Sequence, residues 1–262
     1  MVRYAIIGGT GVYDPRILTD LRRERVETPW GAIEVQIGTY KGREVAFLPR
    51  HGADHSVPPH RINYRANIWG LKKLGVERVL ATTAVGSLNL GMKPGDFVFI
   101  DQFLDFTKGG RPLTFFEGGP DGVVHTDVTE PYCPELRKTL IEAAESLGLR
   151  HHTQGTYVCT EGPRFETAAE IRAFRTLGGD LVGMTNVPEA VLAREAGLCY
   201  AVISMVTNYA AGISPRALTH EEVLEVMAAN AEKLKSLAML CLERIPETRG
   251  CDCGKHNPPL KV

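Results

Sequence analysis

The sequence has no apolar run approaching the ~20 residues that a helix needs to cross a bilayer. Met1 to Gly9 is a short strand-like run without the charged start and cleavage pattern of a signal peptide, so a cytoplasmic location is expected. Excess charge of one sign is also missing. Lys and Arg total 30 against 31 Asp and Glu, which leaves no bulk field to draw nucleic acid or anionic lipid. Any bound anion must be held by a local constellation. Internal repeats, low-complexity tracts and obvious linkers are absent too. With 262 residues, 44% of them apolar, the chain can bury the core of one α/β domain. We place that domain at residues 1–245, followed by a tail at 246–262.

Cysteine is scarce, with six in the chain. Cys133, Cys159, Cys199 and Cys241 sit singly in apolar or amphipathic surroundings, where buried reduced thiols are expected. Cys251-Asp252-Cys253 is a CxC pair on the tail. One CxC and the nearby His256 supply too few ligands for zinc, so no metal is expected, and a disulfide there would add stability, not chemistry.

What the chain does have is alternation. Strand-like runs occur at Tyr4–Ile7, Ala32–Ile37, Glu44–Leu48, Arg78–Thr83, Phe97–Ile100, Thr156–Cys159 and Cys199–Val206. Helical periodicity occurs at Asn63–Leu74, Pro134–Leu147, Glu166–Leu177, Pro188–Ala196 and Thr219–Arg244. The pattern predicts an α/β fold, a single domain with a central mixed sheet flanked by helices. Thr219 with Glu222 reads as a capping box opening the last helix. The Gly- and Pro-rich stretch Thr107–His125 reads as a long surface loop.

Several strand ends carry groups suited to an anion. Gly8-Gly9-Thr10-Gly11 follows the first strand, and glycines let a backbone approach an anion closely. Its spacing does not continue into the GxGxxG of a dinucleotide site. Arg50 and His51 end another strand, and an Arg fork matches two phosphate oxygens. Thr82-Thr83-Ala84-Val85-Gly86-Ser87 ends a third. Ligands of open α/β sheets gather at the carboxyl ends of strands. Candidates for holding a heterocycle are Phe165 with Glu166, where a loop opens into a helix, and Asn208, at the end of a buried strand. Taken by itself, Glu166 reads more simply as a first-turn helix carboxylate, and His220 as a solvated residue at the start of the last helix.

These motifs, in this order, resemble the trimeric purine nucleoside phosphorylases and their relatives the methylthioadenosine phosphorylases. The resemblance runs from Ile6 through Ala238. Besides the segments above, it is carried by Asn63-Tyr64-Arg65-Ala66-Asn67-Ile68-Trp69, Thr160-Glu161-Gly162-Pro163-Arg164-Phe165 and Gly183-Met184-Thr185-Asn186-Val187-Pro188-Glu189. It implies that Thr10, Arg50, His51, Thr83, Ala84 and Thr185 surround phosphate. Met184 would pack under the ribose and Phe165 against the base. Tyr209 and Ala210 would sit in the base region, and His220 would bond the ribose 5′-hydroxyl. His125 would reach into a neighbouring active site, making the enzyme a homotrimer, with a dimer of trimers as the larger alternative.

The methylthioadenosine branch places aspartates in an Asp-Tyr-Asp arrangement where this chain has Asn208-Tyr209-Ala210. It usually has a small residue where this chain has Glu166, and tends to an apolar one where it has His220. The resemblance therefore implies phosphorolysis of 6-oxopurine nucleosides, inosine and guanosine, with Asn208 and Glu166 as the catalytic pair. Inorganic phosphate is the co-substrate and no cofactor is needed. A phosphorylase of 5′-methylthioinosine or 5′-methylthioadenosine, or a non-catalytic nucleoside-binding protein, is the alternative.

Overall fold

Strand β1 (Tyr4–Gly8) is buried along its whole length, as a β-branched and apolar run in the centre of a parallel sheet should be. It pairs in parallel with β4 (Arg43–Pro49) on one side and with the first half of β5 (Arg78–Ser87) on the other. The computed structural model describes residues 2–9, 18–118, 122–214, 219–255 and 260, with the His220 side chain outside that set. Thr10 lies outside the described residues.

Two antiparallel strands, β2 (Thr19–Val26) and β3 (Ile33–Tyr40), extend the sheet beyond β4. Past β5 come β10 (Leu181–Gly183), β9 (Thr156–Thr160) and β7 (Gln102–Phe106). The longest strand, β11 (Cys199–Tyr209), lies in parallel against β5 over its full length. Its middle also pairs with β6 (Phe97–Val98), and β6 pairs with β8 (His151–His152). The mixed sheet thus counts eleven strands among the described residues. Parallel and antiparallel pairs coexist, as the alternating pattern predicts.

Helices cover both faces. Helix α1 (Tyr64–Lys73) and α4 (Asn186–Glu195) bury Ile68, Leu71, Ala190 and Leu192 against one face. Helix α2 (Pro134–Ser146) and α5 (His220–Arg244) bury Leu136, Leu140, Leu234 and Leu237 against the other. The short α3 (Ala168–Thr176) packs Ile171 and Phe174 on Val158 and Val182. No described helix is long and apolar enough to cross a membrane.

Thr219 does cap α5, its hydroxyl accepting the Glu222 N–H at 3.1 Å. The complete reciprocal box belongs instead to α3, where Thr167 and Glu170 each satisfy the other's backbone N–H. The Gly- and Pro-rich stretch after β7 has no helix or strand among its described residues, but Arg111 within it is buried. The loop lies at the surface as expected, its other described residues exposed or partly exposed, and Arg111 is its one buried anchor among them. Cys133 and Cys199 do not sit singly as expected: both lie beside the tail pair Cys251 and Cys253.

Candidate active site

The carboxyl ends of β4, β10 and β11, with the latter half of β5, surround one cavity of about 310 Å³. Arg50, His51, Thr83, Ala84, Phe165, Glu166, Met184, Thr185, Asn208 and Ala210 all line it. Ten residues drawn from five separate stretches of sequence therefore meet in one place.

Gly9, at the end of β1, is fixed by close approach. A Cβ there would lie 2.6 Å from the Thr82 carbonyl and 3.0 Å from Arg50 Nη1. Its N–H donates to Thr82 Oγ1 at 2.9 Å. Arg50 follows the last residue of β4 and is 3% exposed. Its Nε and Nη2 donate to both oxygens of Glu189, at 2.6 and 2.7 Å, and Nη1 donates to the Thr82 carbonyl at 2.8 Å. Burial works against the guanidinium charge, but the Glu189 carboxylate more than offsets it and raises the Arg50 pKa. Of five guanidinium N–H groups, two remain for a ligand.

His51 sits beside it with Nδ1 2.8 Å from the Val57 carbonyl. A carbonyl can only accept, so Nδ1 carries the hydrogen. Burial first, and the neighbouring Arg50 charge second, pull the His51 pKa down to about 4. The neutral ring then presents a bare lone pair at Nε2. Thr185, the N-cap of α4, makes no capping bond with its side chain. Its backbone N–H donates to the buried Tyr157 hydroxyl at 3.4 Å.

Asn208 is aimed by an irregularity in β11. The register against β5 shifts between Val206 and Asn208, so Thr207 is an extra residue. Such a bulge lets consecutive side chains share a face, and Thr207 and Asn208 both line the cavity. Thr207 donates its hydroxyl to Asn208 Oδ1 at 2.7 Å, and Asn208 Nδ2 donates to the Tyr209 carbonyl at 2.9 Å. The atom facing that carbonyl must be a donor, which fixes the orientation of the amide. One N–H and one oxygen lone pair are left for a ligand.

Glu166 is buried and accepts the Thr160 hydroxyl at 2.7 Å. Burial raises its pKa, and the Thr160 bond partly counters that. Phe165 beside it also lines the cavity and is 39% exposed.

One expected residue lies elsewhere. Tyr209 does not line the cavity. Side chains alternate along a strand, and Tyr209 contributes only the carbonyl that orients Asn208. His125 is exposed and does not line the cavity of its own chain. Thr10 and the His220 side chain lie outside the described residues.

Sequence reasoning assigned no role to Glu189, fully buried behind Arg50 and also bonded by the Tyr200 hydroxyl at 2.7 Å. A carboxylate in an apolar helix was the available signal. Arg111 carried none, being one Arg in a Gly-rich loop. It donates to the Met184, Val187 and Glu161 carbonyls at 2.7 to 2.8 Å and to the Glu161 carboxylate at 3.0 Å. This clamps the loop to the Met184–Thr185 wall.

With that geometry in view, the chain compares closely with known proteins. It is 64% identical over the full length of both chains to the probable 6-oxopurine nucleoside phosphorylase of Moorella thermoacetica. It is 57% identical to the 6-oxopurine nucleoside phosphorylase of Pyrococcus furiosus, over 97% of each. Among solved structures, methylthioadenosine phosphorylase from Schistosoma mansoni in complex with adenine superposes with a TM-score of 0.91 at 35% identity, over 97% of this chain and 96% of that one. Residues 3–243 match the family model for the Phosphorylase superfamily, and the chain belongs to that family.

Proposed function

We propose that the protein is a purine nucleoside phosphorylase that cleaves inosine and guanosine with inorganic phosphate, giving the free base and ribose 1-phosphate. The observation that carries this reading is the fixed amide of Asn208 facing the same cavity as the Glu166 carboxyl. A 6-oxopurine offers an acceptor at O6 and a donor at N1, and its N7 gains a proton or hydrogen bond as the base leaves. The free Asn208 N–H suits O6, and its free Oδ1 lone pair suits N7–H. Glu166 suits N1–H and the 2-amino group of guanine. Adenine reverses the pattern at positions 1 and 6 and would strand buried polar groups, a mismatch that can cost ~10⁴ in selectivity.

Phosphate occupies the Arg50 end in this reading, held by the two remaining guanidinium N–H groups and by Thr83, Ala84 and Thr185. His51 accepts a hydrogen bond there and so favours the hydroxyl of a monoprotonated phosphate. The C1′–N9 bond stretches first, and its electron pair passes to the purine, where Asn208 and Glu166 stabilise it. The phosphate dianion stabilises the cationic sugar and then bonds to C1′ with inversion. Catalysis of this kind is differential binding of the transition state and needs no cofactor.

The exposed Phe165 and the absence of His125 from its own cavity suit a homotrimer in which a neighbouring chain closes each mouth. The cytoplasm, where phosphate and nucleosides are both at hand, is the matching compartment.

A second reading, phosphorolysis of 5′-methylthioinosine or 5′-methylthioadenosine, is favoured by the apolar Val223 of α5 in the cavity wall. Turnover of inosine, guanosine, 5′-methylthioinosine and 5′-methylthioadenosine, each at equal concentration with phosphate, separates the two. The first reading expects the two 6-oxopurine ribosides to lead. Leading turnover of a methylthio substrate would establish the second.

A further inference from the structure

Four of the six cysteines converge at the foot of the sheet, far from the cavity. The sulfur atoms of Cys133, Cys199, Cys251 and Cys253 all lie within 4.8 Å of one another. Cys251 Sγ is 3.6 Å from Cys133 Sγ and 3.3 Å from Cys199 Sγ. These separations are too long for a bond of about 2.05 Å between sulfurs. They approach the edge of a tetrahedron with metal–sulfur arms of ~2.3 Å, about 3.8 Å. Three of the cysteines are buried and Cys251 is half-buried.

The four come from three places in the chain. Cys133 is the N-cap of α2, Cys199 opens β11, and the tail beyond α5 supplies Cys251 and Cys253. Two hydrogen bonds hold the tail in place there. The Gly250 N–H donates to Glu135 Oε2 at 2.6 Å, and Arg249 Nη1 donates to the Gly197 carbonyl at 3.0 Å. The count of two tail cysteines from sequence was therefore short by Cys133 and Cys199.

We propose that Cys133, Cys199, Cys251 and Cys253 form a tetrathiolate site for one zinc ion, which clasps the C-terminal tail to the sheet. Four sulfur ligands in a closed, buried tetrahedron are the chemistry of a structural zinc site. On binding, the four thiols release four protons to solvent, and zinc with four thiolates carries a net charge of −2.

The surroundings suit that charge. The Leu136 N–H at the start of α2 points at Cys133 Sγ, 3.5 Å away, and a helix N-terminus favours a thiolate. Arg78 stands opposite Cys199 in the β5–β11 register, on the same face of the sheet. Its Nε and Nη1, like Nε of Arg249, are buried without a hydrogen-bond acceptor. Glu77 and Glu135 stand within ion-pair distance of Arg78 at 3.7 and 3.5 Å.

From Cys199 to Asn208 along β11 is about 30 Å at ~3.3 Å per residue. The ion is therefore remote from the base and serves stability alone.

The test is the metal content of the whole protein, expressed in zinc-supplemented medium and purified with reductant in metal-free buffer. Elemental mass spectrometry should find about one zinc per chain. The double variant Cys251→Ser/Cys253→Ser should lose it, with a Tm about 5–10 °C lower and kcat/KM for inosine within twofold of the unsubstituted enzyme. The unsubstituted protein decides the matter even if the variant does not fold. Zinc far below one per chain, or an intact mass short by the four hydrogens of two disulfides, would overturn the proposal.

Discussion

Arg50 and Glu189 form a side-on ion pair at 2.6 and 2.7 Å, with exposures of 3% and 0%. Neither group tolerates burial alone. The pair therefore serves the fold and, by fixing which guanidinium edge is free, the proposed anion site. Removing one partner of such a pair costs about 3–5 kcal/mol. Glu189→Ala should lower the Tm by roughly 10 °C and raise the KM for phosphate more than that for inosine. Thermal melts and two-substrate kinetics read both. A variant as stable as the parent, with unchanged phosphate KM, would remove Glu189 from the account.

His51 should leave a signature in stability against pH. Its folded pKa of about 4 lies below the ordinary 6.5. Between those values the unfolded chain binds a proton that the folded chain refuses, so stability falls as pH drops through this window. The slope is about 1.4 kcal/mol per pH unit. Denaturant titrations from pH 7 to 4.5 should show it in the parent and a shallower slope in His51→Gln. Parallel curves would mean that His51 is protonated in the folded state.

Glu166 sits where burial raises its pKa and the Thr160 hydroxyl holds it down. The acid limb of kcat/KM for inosine should lie above the ~4.3 of an ordinary Glu. Thr160→Val should move that limb upward. Glu166→Gln removes a charge-assisted bond worth about 1.5–3 kcal/mol, so kcat/KM for guanosine should fall about 10- to 100-fold. An acid limb unmoved by Thr160→Val would detach that limb from Glu166.

Much of this was legible in the sequence because it rested on local rules. The apolar runs of β5 and β11 betray central parallel strands, and the functional groups follow them at strand ends. What escaped depends on distant contacts. The charged segment Thr19–Val26 is not among the strand-like runs of the sequence, yet it forms β2, an edge strand whose Arg and Glu side chains face water. β10 is three residues long and exists because β5 and β9 flank it. The bulge at Thr207 leaves no trace in composition, yet it aims Asn208. Arg111 and the convergence of the four cysteines are set by tertiary packing, which one-dimensional spacing does not encode.

The base-reading role of Asn208 is the centre of the account, and steady-state kinetics of Asn208→Ala and Asn208→Asp on inosine and adenosine test it most directly. Asn208→Ala should lose ~10²–10³ in kcat on inosine while the phosphate KM stays near that of the parent. Asn208→Asp should shift preference from inosine toward adenosine. Near-normal inosine phosphorolysis by Asn208→Ala would contradict the assignment.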